Sequence, residues 1–211
     1  MLELQSLRYQ AATADRPVLR DVSLQLGDGE LHLVAGRSGG GKTTLLELIS
    51  GLAQPQSGRI LWNGAPADAR QRRWLCGLVF QFPERHFLGL TVGQELRLGQ
   101  RRLDGQRLEA VLAQVGLEGV SLQQQPERLS GGQQRRLALA VQLLRDPRVL
   151  LLDEPTAGLD WQVRDDVLAL LQDLRGERAM LVVTHEPELF SGMEARQWQL
   201  SDGQLLPQPR G

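Results

Sequence analysis

The feature that most constrains this chain is a glycine-rich loop between a predicted strand and a predicted helix. Residues 30–35, ELHLVA, are predicted to form a strand, and residues 43–52 carry apolar side chains at helical spacing. The loop between them fits the pattern G-x-x-x-x-G-K-[ST] with Gly36, Arg37, Ser38, Gly39, Gly40, Gly41, Lys42 and Thr43, followed by Thr44. A strand that passes through such a loop into a helix is typical of α/β proteins that bind phosphate groups.

The residue types of this loop suit a triphosphate. Its glycines let backbone N–H groups turn toward phosphate oxygens with no Cβ in the way, and the following helix adds the positive end of its dipole. Lys42 supplies a positive charge for the outer phosphates, Thr43 a hydroxyl for Mg²⁺, and Thr44 a hydrogen bond to an inner phosphate. The alternative is a glycine-rich turn that binds nothing, which the complete pattern in this context disfavours. We therefore predict a site for a nucleoside triphosphate with Mg²⁺.

Two adjacent carboxylates follow a second apolar run. Residues 149–152 are aliphatic, and Asp153 and Glu154 come directly after them. In open parallel sheets, ligands lie beyond the carboxyl ends of the strands, and adjacent side chains of an extended segment point in different directions. We assign Asp153 to the Mg²⁺ shell and Glu154 to orienting and deprotonating the attacking water. An isolated Asp-Glu pair is more often an acidic turn, but its place after a buried strand favours the site.

The order of strand and helix signals predicts an α/β sheet interrupted by an all-helical insertion. Strand patterns recur on both sides of the interruption, at residues 2–7, 22–26, 59–62, 78–80, 148–152 and 179–184. From residue 82 to about residue 146 the strand signals vanish and helical spacing dominates. Residues 160–174 are predicted to form a helical crossover between parallel strands, and the tail after Gly203 is predicted to be frayed.

A second glycine motif lies within the helical insertion, in Leu129, Ser130, Gly131, Gly132 and Gln133. Ser-x-x-Gln before an amphipathic helix is a capping box, so a plain helix start accounts for it. Two glycines at a helix N-terminus also expose backbone N–H groups, which makes a ready anion site. The two interpretations are compatible.

With this motif the sequence resembles the ATP-binding-cassette (ABC) ATPases along almost its whole length. Their signature, LSGGQ, is present unaltered at residues 129–133. The resemblance implies that Ser130 and Gly132, with Gly131 and Gln133 beside them, contact ATP held by an opposite subunit.

Other positions match the same family in order. The resemblance implies that Tyr9 stacks on adenine, that Gln81 is the Q-loop residue linking Mg²⁺ and water to the partner interface, that Asp160 belongs to a D-loop crossing to the other subunit, and that His185 contacts the terminal phosphate. Taken singly, Tyr9 could be an ordinary strand aromatic, Gln81 a turn residue and His185 a satisfied polar group.

The resemblance also implies an architecture and a partner. It implies a P-loop NTPase core with a mostly parallel sheet, an antiparallel β subdomain and an inserted all-helical subdomain. We predict one domain over residues 1–211, with 1–81 and 147–211 as the core and 82–146 as the helical signature subdomain. One phosphate loop and one signature imply that two chains, identical or paralogous, pack head to tail around two ATP molecules. ATP hydrolysis would then drive an integral membrane transport subunit.

The segment after Gln81 indicates a branch of the family. The runs VFQFPE at residues 79–84 and GQQRR at 132–136 look most like the ATPases of energy-coupling-factor and cobalt-type importers. Those ATPases usually carry a longer C-terminal extension, so a short cyanobacterial or plastid-type ATPase of the same branch is expected. The alternative is a non-transport ABC ATPase that acts as a nucleotide-dependent clamp on a soluble assembly partner. The apolar residues Phe82, Phe87 and Leu88, next to Gln81, are the sequence feature that bears on whether the partner is a membrane subunit or a soluble protein.

Composition narrows the partners and the location. A formal net charge of −1 offers no basic surface for nucleic acid, and the basic runs at residues 70–73, 101–102 and 135–136 are interpreted as solvated helix faces. A DNA-repair ATPase is disfavoured because the insertion lacks heptads. The single cysteine, Cys76, fits a reducing compartment. No apolar run approaches the ~20 residues that span a bilayer, so we expect a cytoplasmic chain held at the inner face of the cell membrane by a membrane partner.

Overall fold

The computed structural model describes residues 1–100 and 102–209. Its strands and helices follow in chain order as β1 (Leu2–Tyr9), β2 (Leu19–Leu26), β3 (Leu31–Ala35), α1 (Lys42–Ser50), β4 (Ser57–Trp62), β5 (Ala65–Pro66), α2 (Ala69–Leu75), β6 (Cys76–Val79), α3 (Val92–Arg97), α4 (Gly105–Gln114), α5 (Gly131–Leu144), β7 (Val149–Asp153), α6 (Trp161–Leu174), β8 (Ala179–Thr184), β9 (Arg196–Ser201) and β10 (Gln204–Pro207). Short 3₁₀ turns lie at Pro83–His86, Pro126–Arg128 and Pro187–Phe190. Within the described residues, no helix has the length and hydropathy to cross a membrane.

The larger sheet has the strand order β10-β9-β3-β8-β7-β6. Strands β3 and β6 to β9 run parallel to one another, and β10 pairs antiparallel with β9. The strand β10 shows that the predicted fraying after Gly203 is wrong for Gln204–Pro207, whereas residues 210 and 211 of that tail lie outside the described residues. Asp202 and Gly203 both have positive φ, 50° and 76°, which is the geometry of a two-residue hairpin turn. The turn returns the chain to the sheet, where the Gly203 carbonyl accepts a hydrogen bond from the Arg20 N–H at 2.6 Å.

The central strands are covered on both faces, as their continuous apolar runs predict. In β7, Leu150 and Leu152 pack into a cluster with α3 to α6. Val149 and Leu151 point the other way, into a cluster shared with α1 and the second sheet. All four side chains are fully buried. The edge from which the parallel strands emerge is therefore supported by packed side chains on each side.

The second sheet is antiparallel, with the order β2-β1-β4-β5. Its strands alternate: Leu2 and Leu4 of β1 are buried, whereas Gln5 is exposed. One face of this sheet covers the larger sheet, and the other faces water. The mostly parallel sheet, the separate antiparallel sheet and the helices confirm the predicted fold class.

Between β6 and β7, every described element is helical. Helix α5 lies at the centre of this region and packs against α3, α4, α6 and the turn Pro83–His86. Its position makes α5 the link between the helical region and the strand ends. The division into a core at 1–81 and 147–211 and a helical subdomain at 82–146 stays a prediction.

The basic run at residues 70–73 lies in α2, which begins with a capping box formed by Asp68 and Gln71. Of the other basic runs, Arg101 lies outside the described residues, and the interpretation as a solvated face is wrong for Arg135, which is buried. It is also wrong for Arg72, which is buried. Its guanidinium donates to the Leu48 carbonyl at 2.9 Å and to Oε1 of Gln54 at 3.3 Å. Arg72 therefore ties α2 to the helix that follows the glycine-rich loop.

Candidate nucleotide-binding site

A cavity of about 450 Å³ opens at the edge where the parallel strands end. The chain reaches it from β3, β6, β7 and β8, and it is lined by Val18, Ser38, Gly39, Gly41, Lys42, Thr43, Thr44, Gln81, Asp153, Glu154 and His185. All of these residues except Val18 are candidates from the sequence. The sheet topology thus gathers the glycine-rich loop, the carboxylate pair, Gln81 and His185 around one space.

The loop at residues 36–43 has its shape because side chains are missing at two close approaches. Gly41 has φ 94° and is the N-cap of α1, and a Cβ there would lie 2.9 Å from Cγ1 of Val18. A Cβ at Gly36 would lie 2.8 Å from the carbonyl oxygen of Leu200. Other residue types would push the loop away from the strand ends at both points. The loop can therefore turn its backbone toward the cavity.

Lys42 is buried inside the loop and bonded on several sides. Its ammonium donates to the carbonyls of Gly36 at 2.8 Å and Arg37 at 3.3 Å, and lies 3.2 Å from Oε1 of Glu154. The Gly40 N–H in turn donates to the Arg37 carbonyl at 3.0 Å. Gly36, Arg37 and Gly40 lie outside the cavity lining, so they shape the loop and hold Lys42.

Glu154 lies at the centre of the site and is nearly fully buried. While Oε1 faces Lys42, Oε2 accepts from the His185 N–H at 3.1 Å and lies 2.8 Å from its Nδ1. A carboxylate only accepts hydrogen bonds, so Nδ1 is the ring nitrogen that carries a proton. The imidazole itself is half-exposed to the cavity. A carboxylate held by a cation and an imidazole is suited to orienting water and accepting its proton.

Asp153 and Thr43 place two oxygen ligands side by side. The Thr43 hydroxyl donates to Oδ2 of Asp153 at 2.7 Å. Burial raises the pKa of the Asp153 carboxyl; the Thr43 hydrogen bond opposes this, and the neighbouring Glu154 charge adds to it. The described residues contain no cluster of three His, Cys, Asp or Glu side chains that could hold a metal. The Thr43 hydroxyl and the Asp153 carboxylate are oxygen donors that fit Mg²⁺, which is usually held by one or two carboxylates together with substrate phosphates.

Gln81 and Tyr9 have different environments. Gln81 follows β6, is half-buried and lines the cavity. Tyr9 ends β1, packs against the cluster between the sheets and is not among the lining residues. Its carbonyl accepts from the Val18 N–H at 2.8 Å, and Val18 does line the cavity. Sequence analysis missed Val18 because a lone aliphatic residue before a strand belongs to no motif.

The signature residues lie at the start of α5, outside this cavity. Oγ of Ser130 accepts from the Gln133 N–H at 3.2 Å, and Oε1 of Gln133 accepts from the Ser130 N–H at 3.0 Å, so the predicted capping box is present. Ser130 and Gly131 are exposed. The N–H groups that precede Gln134, the donor to the Ser130 carbonyl, have no intrahelical acceptor. We call residues 130–133 the signature tip.

The signature tip rests on α6. A Cβ at Gly132 would overlap Cγ1 of Val163, so helix packing alone requires glycine there. Asp160 caps α6 by accepting from the Val163 N–H at 3.0 Å. Gly158 and Asp160 are exposed, although the segment before them is buried. The predicted D-loop therefore lies at the surface close to the signature tip.

Comparison with known proteins bears on what these features do. Residues 19–157 match the family described as ABC transporter. The chain is 37% identical to the chloroplastic ABC transporter I family member 11 of Arabidopsis thaliana, over 97% of this chain and 80% of that protein. It is 40% identical to an energy-coupling factor transporter ATP-binding protein of Symbiobacterium thermophilum, over 79% of this chain and 62% of that protein.

Solved structures give the same result. The structure of cbiO1 from Clostridium perfringens, part of the ABC transporter complex cbiONQ, is similar with a TM-score of 0.85 and 28% identity, over 97% of this chain and 86% of that one. A dimeric ATP-binding cassette in a post-hydrolysis state with ADP and Pi has a TM-score of 0.85 and 27% identity, over 100% and 99%. An ATP-bound bacterial Atm1-family exporter, 22% identical with a TM-score of 0.84 over 97% of this chain and 38% of that one, shares the fold. This chain therefore belongs to the ABC transporter family, as an ATP-binding and ATP-hydrolysing subunit.

Proposed function

We propose that the chain binds ATP with Mg²⁺ in the cavity at the strand ends, and that hydrolysis takes place between two ATPase chains, identical or paralogous, paired head to tail. The observation that carries this proposal is the separation of two complementary parts. The cavity holds the phosphate loop and Glu154, whereas the signature tip is exposed and outside the cavity lining. A second chain can supply the missing wall.

The phosphate loop grips the triphosphate. Lys42, which already shares its charge with Glu154 at 3.2 Å, offers its ammonium to the outer phosphates. The backbone N–H groups at the start of α1 face the same phosphates, with the hydroxyl of Thr44 on an inner one. Ser38 and Gly39 form the outer rim. We keep Tyr9 as the residue beside adenine, with Val18 supplying apolar surface next to it.

Glu154 acts on the attacking water, and His185 and Gln81 support it. Glu154 orients the water and takes its proton, because it is the cavity carboxylate held between Lys42 and His185. The imidazole of His185 is bonded to Glu154 and half-exposed to the cavity. We therefore assign His185 to contact the terminal phosphate as well. Gln81 follows β6 and lines the same cavity. It therefore connects the water and the metal to the exposed segment that follows it in the chain.

Mg²⁺ would be held by Thr43 and Asp153, with Gln81 at its edge. When bound, Mg²⁺ neutralises the developing charge on the phosphates. The task of Thr43 and Asp153 is to keep two oxygens 2.7 Å apart at the cavity wall.

The signature tip closes the site of the opposite chain. Free amides at a helix N-terminus attract anions. The exposed Gly131 presents one to solvent, next to the buried Gly132, while Gln133 holds the N–H of the exposed Ser130 in the capping box. Asp160, exposed beside the tip, crosses to the same partner. ATP then links the two chains, so nucleotide binding and dimerisation reinforce each other.

We further propose that the dimer drives an integral membrane subunit of an importer of the energy-coupling-factor or cobalt type. Leu88 and Leu90, between Gln81 and α3, are 80% and 77% exposed, and Phe82 is 37% exposed. An apolar patch of this kind marks an interaction site. The relatives named above as transporter subunits favour a membrane partner, which would hold the chain at the inner face of the cell membrane.

A cross-link tests the head-to-tail arrangement. Cysteines replace Ser38, at the rim of the cavity, and Ser130, at the signature tip, in the Glu154→Gln background. Each single variant is mixed with the other, so that a bridge can form only between chains. Cys76 does not compete because it is buried. We expect a disulfide-linked dimer when ATP and Mg²⁺ are present, and none with ADP.

Matched controls make the result specific. A cysteine at Ser191, exposed on another part of the surface, should not cross-link to the cysteine at position 38 under the same conditions. The proposed arrangement is wrong if ATP produces no link between positions 38 and 130 and the wild-type chain hydrolyses ATP under conditions where light scattering gives the mass of a monomer.

A further inference from the structure

Arg135 is a buried cation that is bonded to the backbone next to Glu154. It lies on α5, one turn after the signature tip, and is only 4% exposed. Its guanidinium donates from Nη1 to the Glu154 carbonyl and from Nη2 to the Ala157 carbonyl, both at 3.0 Å. The two carbonyls belong to the turn that follows β7. Arg135 thus clamps both ends of that turn from the signature helix.

No carboxylate in the described part of the chain compensates this charge at close range. Among the described residues, none lies within 4.0 Å of the Arg135 guanidinium, and its Nε is buried without an acceptor. Burial lowers the pKa of Arg135, and the charge of Glu84, on the turn after Gln81, partly offsets this. Burying a cation without a paired anion is costly, and apolar residues of similar volume often stabilise a core equally well. Stability alone gives little reason for an arginine here.

The turn that Arg135 clamps is conformationally strained. Glu154 has φ 48°, a left-handed conformation that residues other than glycine rarely adopt. Such residues persist where surrounding contacts over-determine them, commonly at functional sites. Here the Glu154 N–H donates to the Val183 carbonyl at 2.9 Å, and its carbonyl accepts from the Ala157 N–H at 3.1 Å as well as from Arg135. This backbone sets the direction in which the Glu154 carboxylate enters the cavity.

The helix that carries Arg135 is also fastened to α6. Gly132 packs directly against Val163, and Nη2 of Arg136 lies 2.6 Å from Oδ2 of Asp166. Because the signature tip and Arg135 lie on the same helix, a shift of the tip moves Arg135 with it. One helix thus touches both the exposed tip and the backbone of this chain's own Glu154.

We infer that Arg135 is a positioning residue for hydrolysis, which aligns Glu154 and links it to the signature tip of the same chain. Engagement of the tip by the partner's ATP then favours the alignment of Glu154 at the other site. This inference rests on the proposed function, since Glu154 must act on the water and the tip must meet the partner's nucleotide.

The test compares two neighbouring arginines of α5. Arg135→Met removes the clamp, and Arg136→Met, which breaks the ion pair with Asp166 but no bond to the turn that holds Glu154, is the matched control. For Arg135→Met we expect kcat for ATP hydrolysis to fall at least about tenfold, with KM for ATP changed by less than about threefold, because a misplaced catalytic group costs turnover and not binding. Arg136→Met should keep a kcat within about twofold of the wild type.

A second background separates positioning from a structural role. If Arg135 acts through Glu154, then adding Arg135→Met to Glu154→Gln should leave the residual hydrolysis unchanged, since the aligned group is already gone. Arg135→Lys, which keeps the charge but lacks the fork that reaches two carbonyls, should give an intermediate kcat with an unchanged Tm. It also serves as the test if the methionine variant does not fold.

Two results would overturn the inference. One is a wild-type kcat in folded Arg135→Met or Arg135→Lys. The other is an equal fold-loss of activity when Arg135→Met is placed in the wild-type and in the Glu154→Gln background. The proposed function fails separately, when Glu154→Gln forms no ATP-dependent dimer.

Discussion

The phosphate loop and the signature tip, which we propose both contact phosphate, are built in opposite ways. Lys42 of the loop and Glu154, which follows β7, are buried and paired with each other, and carbonyls and an imidazole supply their other bonds. At the tip, Ser130 is exposed and its side chain bonds only within its own capping box. One half-site is complete within the chain, and the other is open to solvent.

The difference follows from the cost of burial. A buried charge without partners costs several kcal/mol, so the loop has to satisfy its charges within the same chain. Exposed amides at a helix start are hydrogen-bonded to water, so they can stay unpaired within the protein until an anion binds. Substitutions in the loop should therefore change the chemistry, whereas substitutions at the tip should change assembly.

The volume of a cavity does not by itself identify a nucleotide site, because a second cavity of similar size is present. A cavity of about 480 Å³ lies at the opposite edge of the larger sheet. Its arginines are already matched, Arg175 with Glu194 at 2.7 Å and Arg196 with Glu30 at 2.9 Å. Because both arginines are already paired, we assign this cavity no ligand.

The largest effect that tests the difference between the two half-sites is expected for Glu154→Gln, which removes the charge of the side chain but keeps its shape. We expect ATP hydrolysis to fall by about 100- to 1,000-fold, the usual range for one catalytic contact, as measured by phosphate release. Light scattering should show the mass doubling with ATP, since the tip is untouched. The exposed Glu188 supplies the control, and Glu188→Gln should hydrolyse normally. Equal rates for the wild type and Glu154→Gln would remove the base from the loop half-site.

A second prediction examines the buried frame beneath the loop. His32 of β3 accepts from Nε1 of Trp198 at 3.2 Å and faces Glu30 at 3.3 Å. Burial lowers the pKa of His32 from 6.5 to about 4, against the pull of Glu30 and with a contribution from Arg196. As the pH falls below 6.5, the unfolded chain takes up a proton that the folded chain refuses until about pH 4.

Stability should therefore fall through that window by roughly 3 kcal/mol. Urea unfolding at several pH values measures the loss, and His32→Asn should flatten the profile because no imidazole is left to titrate. A wild-type stability that is constant over the window would show that His32 is not held neutral.

A third prediction concerns the two glycines of the signature tip, which should differ in whether they affect stability or dimerisation. Gly132→Ala should lower the free energy of unfolding by about 1–3 kcal/mol through overpacking against Val163, and Val163→Ala should restore it. Gly131 has open space around it, so Gly131→Ala should fold normally but weaken the ATP-dependent dimer. Thermal unfolding and light scattering separate the two effects. A stable Gly132→Ala protein would mean that α5 and α6 are not closely packed.

The smallest effect is expected at Cys76, under the helix that follows the loop. Burial raises the pKa of the Cys76 thiol to about 12, and its Sγ faces the Ile49 carbonyl at 3.8 Å. A thiol-reactive dye should label it only after unfolding, with no change on adding ATP. Rapid labelling of the folded chain would show that the support beneath the loop opens.

Much of the site was predictable because its chemistry uses neighbours in sequence. The glycines before Lys42 and Thr43, the pair Asp153 and Glu154, and the LSGGQ run each place several groups by local backbone geometry alone. Their spacing is enough to identify them. The same holds for β7 and β8, whose unbroken apolar runs predicted burial on both faces.

Other features depend on distant pairs and were missed. Arg135 resembles any polar residue of an amphipathic helix until it is seen beside Glu154, 19 positions away. Val18 carries no motif, and Arg72 is a surface residue by composition alone. The Asp202-Gly203 turn, by contrast, had a local signal that the prolines of the tail obscured.

Residue order thus decided the family, the phosphate loop, the carboxylate pair and the signature tip, because contiguous patterns shape a loop, a strand end or a helix start without help from the rest of the chain. The folded arrangement alone decided that Thr43 meets Asp153 across 110 positions, that Lys42 and His185 share Glu154, and that the tip stays outside its own cavity. Those contacts depend on strand order and helix packing, which join segments whose sequences carry no record of each other.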